Sequence, residues 1–353
     1  MPRRPTRIDD TPNRDVLEDL AFGLAKAAVL KAAIELEIFT RIAEGHRTVP
    51  ALARLGSLTE RGTRILLDAL VFMGLLGKTH TEYKLSPTAE AFLVKGKPTY
   101  SGDALLGDFA WEARGQLSRV IRTGKLAQPA AFTEAFEPLW AGMAASVLVD
   151  WQEHAERAEA LWDKVGMTAE NVKGLRVLDV GCGSGVISFT LARRHPSVRV
   201  TALDRAMVLP YTKHLAETMG VTSQVNCLVG DALNLEVKAS AFDVVLFGNL
   251  TNYFSPEQNV GAFRRAYEAL TPNGRIVIVA PIADEDRKGP GEVPMAGVEV
   301  LLFSPDGDTY TFAEYRGMLE AVGFSEVTAY KDDWGLLTAR RVETPPVKNE
   351  KKE

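Results

Sequence analysis

The feature of this sequence that most constrains its fold is the alternation of short strands and helices that begins near residue 174. The strand segments are rich in β-branched residues, and helical segments with one apolar face separate most of them. This alternation predicts an α/β fold with a doubly wound, largely parallel sheet that binds ligands at the carboxyl ends of its strands. The last loop is too short for a crossover, so the final two strands must run antiparallel. The predicted strands are 176–180, 198–203, 224–229, 242–247, 275–280, 326–330 and 336–340.

The chain up to about residue 165 has a helical pattern instead. Three helical segments are followed by two short strands around a polar turn, an order that predicts a winged-helix domain. The third of these helices, 60–73, carries only Arg61 and Arg64 as basic residues, which favours an association surface over a DNA-binding one. Further helices are predicted at 111–121 and, as one long helix, at 134–164.

Composition and charge exclude several classes of function. The 353 residues carry 41 Lys and Arg against 46 Asp and Glu, and the formal charge of −5 argues against a general nucleic-acid binder. Two cysteines and five scattered histidines predict neither a disulfide framework nor a structural metal site. No apolar run reaches the roughly 18 residues of a membrane helix, and no apolar signal core follows the basic start. We therefore expect a cytoplasmic protein with flexible tails at 1–13 and 343–353.

A cluster of glycines joins the first strand of the sheet to the helix that follows it. Gly181, Gly183 and Gly185 have the spacing Gly-x-Gly-x-Gly, which differs from the dinucleotide pattern Gly-x-Gly-x-x-Gly. Glycines permit a tight turn and a close approach of a ligand to the main chain, and a helix N-terminus favours an anionic group. The segment therefore predicts a ligand-binding turn.

Two carboxylates follow the next two strands. Asp204 ends the second strand, where a carboxylate can accept hydrogen bonds from both hydroxyls of a ribose. Asp231, in the segment Gly230-Asp231-Ala232, follows the third strand. Together with the glycine turn these carboxylates predict a nucleoside-binding site, and the alternative is that both aspartates only cap turns.

These motifs carry a resemblance to a known family. The segment 177–185, followed in order by Asp204, Gly230-Asp231 and 242–246, resembles the motifs of the class I S-adenosylmethionine-dependent methyltransferases. Over about residues 15–342 the chain is similar to small-molecule O-methyltransferases with an N-terminal dimerisation domain, in their bacterial natural-product branch. The resemblance implies a Rossmann-like seven-stranded sheet, a homodimer, and S-adenosylmethionine as cofactor. It implies domains at 14–105 (winged-helix dimerisation), 106–165 (connecting helices) and 166–342 (cofactor-binding methyltransferase).

The same resemblance implies the site residues. Cofactor contacts are expected at Asp179, Gly181, Gly183, Asp204, Arg205, Asp231, Ala232 and Asn249. An apolar, aromatic pocket for the methyl acceptor is expected from Trp111, Met143, Tyr253, Met295, Phe303 and Tyr310, although each of these residues could equally belong to the core.

The chain departs from the family at the position of the catalytic base. The loop after the fourth strand usually ends in a histidine that removes the acceptor's proton, and this position falls on Asn252. Supporting carboxylates of the family align with Ala280 and Thr309. An asparagine can orient a hydroxyl but cannot take a proton at neutral pH. His154, on the long helix that borders the active site in this family, is the candidate replacement base.

Three functions stay open from the sequence. The first is methyl transfer to a small aromatic or polyketide-like metabolite by positioning and desolvation. O-transfer is the family default, and C- or N-transfer, or transfer to an ionised oxygen, are competitors. The second is a family member that binds the cofactor and catalyses another reaction, such as a cyclisation. The third is a non-catalytic winged-helix regulator, which the sparse basic residues disfavour.

Overall fold

The computed structural model describes residues 12–97, 99–109, 111–126, 137–234, 236–330 and 334–342. The predicted flexible tails therefore lie almost entirely outside the described residues. Contacts divide the chain into two units that meet between Arg114 and Gly115. The boundary predicted at residue 105 lies nine residues earlier, and the expected connecting helices are shared between the two units.

The N-terminal unit is mainly helical and contains one small hairpin. Thr48 and Thr59 cap the third and fourth helices by accepting hydrogen bonds from backbone N–H groups in their first turns. The hairpin strands pair antiparallel, with Leu76 opposite Leu85. The elements are α1 (Asp15–Glu35), α2 (Ile38–Ala43), α3 (Val49–Gly56), α4 (Glu60–Phe72), β1 (Leu76–Thr79), β2 (Glu82–Leu85), α5 (Pro87–Phe92), α6 (Gly102–Phe109) and α7 (Trp111–Gly115).

The C-terminal unit alternates strands and helices after three initial helices. Its helices are α8 (Leu117–Thr123), α9 (Glu137–Val147), α10 (Trp151–Lys164), α11 (Val186–Arg194), α12 (Leu209–Thr218), α13 (Pro256–Ala269), α14 (Val293–Phe303) and α15 (Phe312–Glu320). Its strands are β3 (Arg176–Val180), β4 (Arg199–Asp204), β5 (Val225–Val229), β6 (Phe242–Gly248), β7 (Leu270–Val279), β8 (Ser325–Tyr330) and β9 (Leu336–Arg340).

These seven strands form one sheet in the order β5-β4-β3-β6-β7-β9-β8. All pairs are parallel except those of β9, which is antiparallel to both β7 and β8. The predicted fold class, including its antiparallel last strand, is confirmed. Side chains alternate across a strand, so successive residues of β3 belong to the two different hydrophobic cores on either side of the sheet. Val177 packs into one of these cores and Leu178 packs into the other.

The prediction of one continuous helix over residues 134–164 is wrong. The expected long helix 134–164 is two helices, α9 and α10, separated at residues 148–150, and its first three residues lie outside the described ones. The N–H groups of Leu148 and Val149 bond the carbonyls three residues earlier, which ends α9 in a tight turn. The β-branched Val147 and Val149 favour helix poorly, and Asp150 stands just before α10, where its carboxylate meets His154. The predicted helix 111–121 is likewise divided, into α7 and α8.

Candidate functional site

The glycine turn after β3 is fixed to the end of the neighbouring strand β4. The N–H groups of Gly181 and Cys182 donate to the carbonyl oxygen of Leu203, at 2.9 and 3.0 Å. Gly181, Gly183 and Gly185 all have a positive φ, the conformation that favours glycine. A Cβ on Gly183 would meet no atom within 4 Å, whereas one on Gly181 would press against Leu250. The backbone at Gly183 therefore faces open space.

Asp204 stands beside this turn at the carboxyl end of β4. Its Oδ2 accepts a hydrogen bond from the Gly183 N–H, and its Oδ1 accepts one from the Arg205 N–H, both at 2.7 Å. Burial raises the pKa of Asp204, and these two hydrogen bonds oppose the rise. Each carboxylate oxygen keeps a further lone pair, so the oriented group can still accept hydrogen bonds from a ligand.

Asp231 and Arg205 lie together at the next strand ends. The Arg205 guanidinium approaches Oδ2 of Asp231 at 3.3 Å, and Oδ1 accepts a hydrogen bond from the Leu233 N–H at 2.9 Å. Asp231 therefore caps the 3-10 turn that Ala232 begins, which agrees with the alternative that this aspartate caps a turn. It remains half-buried beside Asp204, so capping and ligand binding are compatible.

Asp179 lies beneath the turn and not at its surface. Its carboxylate is buried and accepts a 2.6 Å hydrogen bond from the Ser188 hydroxyl of α11. Burial, opposed by Ser188 and reinforced by the charge of Asp204, raises the pKa of Asp179 to about 7. Asp179, itself one of the expected cofactor contacts, thus connects β3 to α11 from a buried position.

Asn249 begins the loop after β6 with a positive φ. Its N–H donates to the Val279 carbonyl, and its side-chain oxygen accepts a 2.6 Å hydrogen bond from the indole N–H of Trp334. The predicted cofactor contact at Asn249 therefore lies in a segment anchored to β7 and to the chain just before β9.

Asn252 lies in the 3-10 turn Thr251–Tyr253 of the same loop. Its side chain is 4% exposed, and its Oδ1 is buried with no hydrogen-bond partner among the described residues. Such an atom is rare in folded proteins, because an unsatisfied buried acceptor costs about 1–3 kcal/mol.

The turn that carries Asn252 is held from both sides. Asn259 of α13 donates from Nδ2 to the Thr251 carbonyl at 2.9 Å, and the hydroxyls of Thr251 and Tyr315 lie 2.7 Å apart. On the other side, Ser304 at the end of α14 donates from its hydroxyl to the Tyr253 carbonyl at 2.6 Å.

Two more residues complete this clamp. The Gly307 N–H donates to the Ser304 hydroxyl oxygen at 3.0 Å, and a Cβ on Gly307 would collide with the backbone carbonyl oxygen of Asn252. The Tyr310 hydroxyl donates to the Phe254 carbonyl at 2.6 Å. Tyr310, expected in the acceptor pocket, is buried and fixes the loop by this contact. The loop clamp, as we call it, comprises Asn259, Ser304, Gly307, Tyr310 and Tyr315.

The other predicted pocket residues are dispersed over several elements. Tyr253 packs its ring edge-on against Trp140 of α9, with centroids 5.2 Å apart. Burial, with a smaller contribution from the charge of Glu299, raises the pKa of Tyr253 to about 12. Met143 of α9 is exposed, Met295 of α14 is 64% exposed, and Phe303 of α14 is half-buried. Trp111 belongs to α7 of the N-terminal unit.

His154, the candidate replacement base, is a half-exposed residue of α10. Its Nε2 lies 3.3 Å from Oδ1 of Asp150, one helical turn earlier. Among the described residues, no hydrogen bond or ion pair connects it to the Asn252 turn.

Sequence reasoning missed most of the loop clamp. Asn259, Ser304 and Gly307 were not among the expected site residues, and neither was Trp140. A signal was available for Ser304 and Gly307, since a hydroxyl residue followed by Pro-Asp-Gly ends a strongly apolar helix. No comparable signal identifies Asn259, because its use depends on the tertiary position of the loop.

The described residues contain neither a candidate metal site nor a membrane-spanning helix. No group of three or more His, Cys, Asp or Glu side chains among them could hold a metal ion. Within the same parts of the chain, no helix is long and apolar enough to cross a membrane.

Comparisons with known proteins match both halves of the chain. Residues 177–274 match the family model of a methyltransferase domain, and residues 18–95 match that of an O-methyltransferase dimerisation domain. The tetracenomycin polyketide synthesis 8-O-methyl transferase of Streptomyces glaucescens is 27% identical over 333 residues, covering 89% of this chain and 91% of that protein. Acetylserotonin O-methyltransferase of Mus musculus is 29% identical over 334 residues, covering 88% and 84%.

Solved structures share the fold. Human N-acetylserotonin methyltransferase, solved in complex with S-adenosylmethionine, superposes with a TM-score of 0.75 at 21% identity, covering 95% of this chain and 100% of that one. At this identity the likeness concerns the fold.

Proposed function

We propose that this chain, which belongs to the S-adenosylmethionine-dependent methyltransferases with an O-methyltransferase dimerisation domain, methylates a hydroxyl of a small aromatic or polyketide-like molecule without a histidine base. The observation that carries the proposal is the juxtaposition at one sheet edge. Open backbone at Gly183, an oriented carboxylate at Asp204 and a buried asparagine in the loop after β6 all follow neighbouring strands.

The residues at this edge fit the cofactor. A turn open at Gly183 leaves room for the amino-acid end of a ligand against the main chain, and Asp204 offers two acceptor oxygens to the ribose hydroxyls. Asp231 and the backbone of Ala232 would meet the amino group and ring edge of adenine, while Arg205 fixes Asp231. When bound, S-adenosylmethionine supplies a sulfonium methyl group that a nucleophile displaces in line.

The chain's own contribution is to bind and orient. Asn252 cannot accept a proton from the acceptor, so it can only hold it by hydrogen bonding. The packed aromatic rings of Trp140 and Tyr253 would exclude water from one side of the acceptor. Tyr253, whose pKa is about 12, keeps its proton at neutral pH and acts there as a hydrogen-bond donor.

Magnitudes show that a site without a base can suffice. Proximity and orientation contribute about 7–11 kcal/mol to a reaction between two bound groups. A general base typically adds about 10²–10⁴-fold, or roughly 3–5 kcal/mol. The positioning contribution is the larger, and it favours an electron-rich acceptor over a simple aliphatic alcohol.

The named relatives support the acceptor class. One is named for 8-O-methyl transfer in tetracenomycin polyketide synthesis and the other for O-methyl transfer involving acetylserotonin. We extend this class to the present chain, together with a homodimer formed through the N-terminal unit.

Because Asn252 stands where the family has a histidine base, two alternative reactions stay open. One is transfer to carbon or nitrogen, and the other is a reaction such as cyclisation in which the bound cofactor keeps its methyl group. Incubation with methyl-labelled S-adenosylmethionine and extracts of the producing cell distinguishes them by which compound gains the label. A labelled ether supports the proposal, whereas cofactor binding without any labelled product favours the second alternative.

A further inference from the structure

We propose that Asn252 is held with its side-chain oxygen unsatisfied so that the methyl acceptor, bound as a hydroxyl or amine that still carries its hydrogen, donates a hydrogen bond to it. This inference rests on the proposed function and narrows its substrate class. It disfavours phenolates, carboxylates and carbon nucleophiles, which bring no donor to this oxygen.

The first observation is the state of Asn252 itself. Its Oδ1 is buried and unpartnered, and no hydrogen bond from its side chain to a described residue exists. A core position with no functional demand would favour an apolar residue of the same shape, because an unsatisfied polar group destabilises the fold. The position lies in the loop after β6, at the sheet edge where ligands of parallel sheets bind.

A second observation shows that the turn cannot shift to satisfy this oxygen. Asn259 fixes the Thr251 carbonyl before it, and Ser304 fixes the Tyr253 carbonyl after it. Gly307 lies so close to the Asn252 carbonyl that a methyl group would not fit between them. The neighbours thus hold the unsatisfied oxygen in one place, which makes Ser304 and Gly307 positioning residues.

The chemistry of an amide oxygen then selects the ligand. It accepts hydrogen bonds and repels other electron-rich atoms, so an ionised oxygen would meet it unfavourably. A neutral phenol or an aromatic amine keeps a lone pair for reaction while its O–H or N–H donates a hydrogen bond to Asn252. The lone pair would form the new bond to the methyl carbon as the bond from that carbon to the sulfonium sulfur breaks, and the hydrogen would then leave as a proton to water, because Asn252 cannot take it. The shared property is a nucleophilic heteroatom that carries a hydrogen.

The stability of the unliganded protein provides the first test. Asn252→Leu, which keeps the approximate shape and removes the unsatisfied buried oxygen, should raise the melting temperature of the full chain by a few degrees. Asn259→Leu is the matched control: it is also a buried asparagine with an unpartnered oxygen, but its Nδ2 bonds Thr251, so its loss should lower the melting temperature. A lower melting temperature for Asn252→Leu would overturn the proposal, since it would mean that the amide has a structural partner.

Ligand binding provides the second test and distinguishes the two donor types. We would measure by calorimetry how 2-naphthol, 2-naphthylamine and 2-methoxynaphthalene bind to the full chain saturated with S-adenosylhomocysteine. At least one donor-bearing probe should bind about tenfold more tightly than the ether, and Asn252→Leu should remove the difference. Ser304→Ala should reduce the difference while S-adenosylhomocysteine affinity stays unchanged, a result that loss of folding would not give. Equal binding of all three probes, or a preference that survives in Asn252→Leu, would contradict the inference.

This failure is distinguishable from failure of the proposed function. The methyltransferase proposal fails when the parent chain binds no S-adenosylmethionine. The inference about Asn252 fails when cofactor binding is intact but the donor preference or the stability gain is missing.

Discussion

At the scale of single residues, Asp204 combines two tasks. Its carboxylate orients the glycine turn through the Gly183 N–H and is the predicted partner of the ribose. We expect Asp204→Ala to weaken S-adenosylmethionine binding by about 100-fold or more, because hydrogen bonds to a charged group contribute about 1.5–3 kcal/mol each. Titration calorimetry measures the change. Asp286→Ala, which removes an exposed carboxylate paired with Lys288, is the control and should bind normally. A threefold effect or less at Asp204 would mean that the cofactor lies elsewhere.

Asp179 makes stability depend on pH. Its pKa is about 7 in the folded chain, whereas the unfolded carboxyl group titrates near 3.8. Between these values the unfolded chain has lost a proton that the folded chain still holds, so stability falls as pH rises from about 4 to about 7. Asp179→Asn should remove this contribution. Between pH 5 and pH 8 the melting temperature of the variant should therefore decrease less than that of the parent. The difference between the two decreases should be roughly 5 °C, the shift that about 2 kcal/mol produces in a domain of this size. Identical pH dependence in both proteins would contradict the assignment.

At the scale of elements, the loop after β6 depends on α15 and the segment before it. The Tyr310 hydroxyl satisfies the Phe254 carbonyl, so Tyr310→Phe should lower stability by about 2 kcal/mol and reduce methyl transfer. Cofactor affinity should not change, since the glycine turn does not contact this hydroxyl. Tyr267→Phe is the control, because the Tyr267 hydroxyl makes no hydrogen bond to the described residues. An unchanged melting temperature combined with a raised KM for the acceptor would instead return Tyr310 to the acceptor pocket predicted from the sequence.

The strands and the residues at their carboxyl ends could largely be predicted from the sequence. The strands of the sheet were placed to within a few residues, because β-branched runs bounded by glycine or aspartate allow little else. β7 was the exception and begins five residues early, at Leu270. The proximity of the glycine turn, Asp204 and Asp231 was predictable from topology, since a parallel sheet brings the ends of β3, β4 and β5 to one edge. The cofactor contacts themselves came from the family resemblance and stay a prediction.

The contacts that hold the Asn252 loop could not be derived in the same way. Asn259, Ser304 and Tyr310 meet one short loop from three separate segments, and each uses a side chain on a backbone carbonyl. Sequence spacing contains no information about such contacts. The sequence assigned Tyr310 to the acceptor pocket, and in the structure its hydroxyl donates to the Phe254 carbonyl of the loop. The division of the long helix at Leu148 was missed because no glycine or proline marks residues 148–150, although α9 is apolar and α10 is charged on one face.

At the scale of the whole molecule, the N-terminal unit has an apolar face that its own residues leave exposed to solvent. Leu20 is 70% exposed on α1 and Phe72 is 71% exposed at the end of α4, where its ring meets Phe22 edge-on at 6.0 Å. Exposed apolar patches of this kind mark association surfaces. The further exposed apolar residues of α1 are Val16, Leu17 and Leu24.

We therefore predict that α1 and the end of α4 form the interface of a homodimer. Leu17→Asp combined with Leu20→Asp places two charges on this face and should convert the dimer to a monomer, since burying unpaired charges is strongly unfavourable. Sedimentation velocity at micromolar concentration measures the change, with Asp19→Asn, an exposed polar substitution on the same helix, as control. Because both substituted leucines are already exposed within the unit, its own folding should persist, with unchanged helical circular dichroism. A dimer that survives both charges would have to use another surface, and a parent protein that sediments as a monomer would leave this apolar face to a different partner.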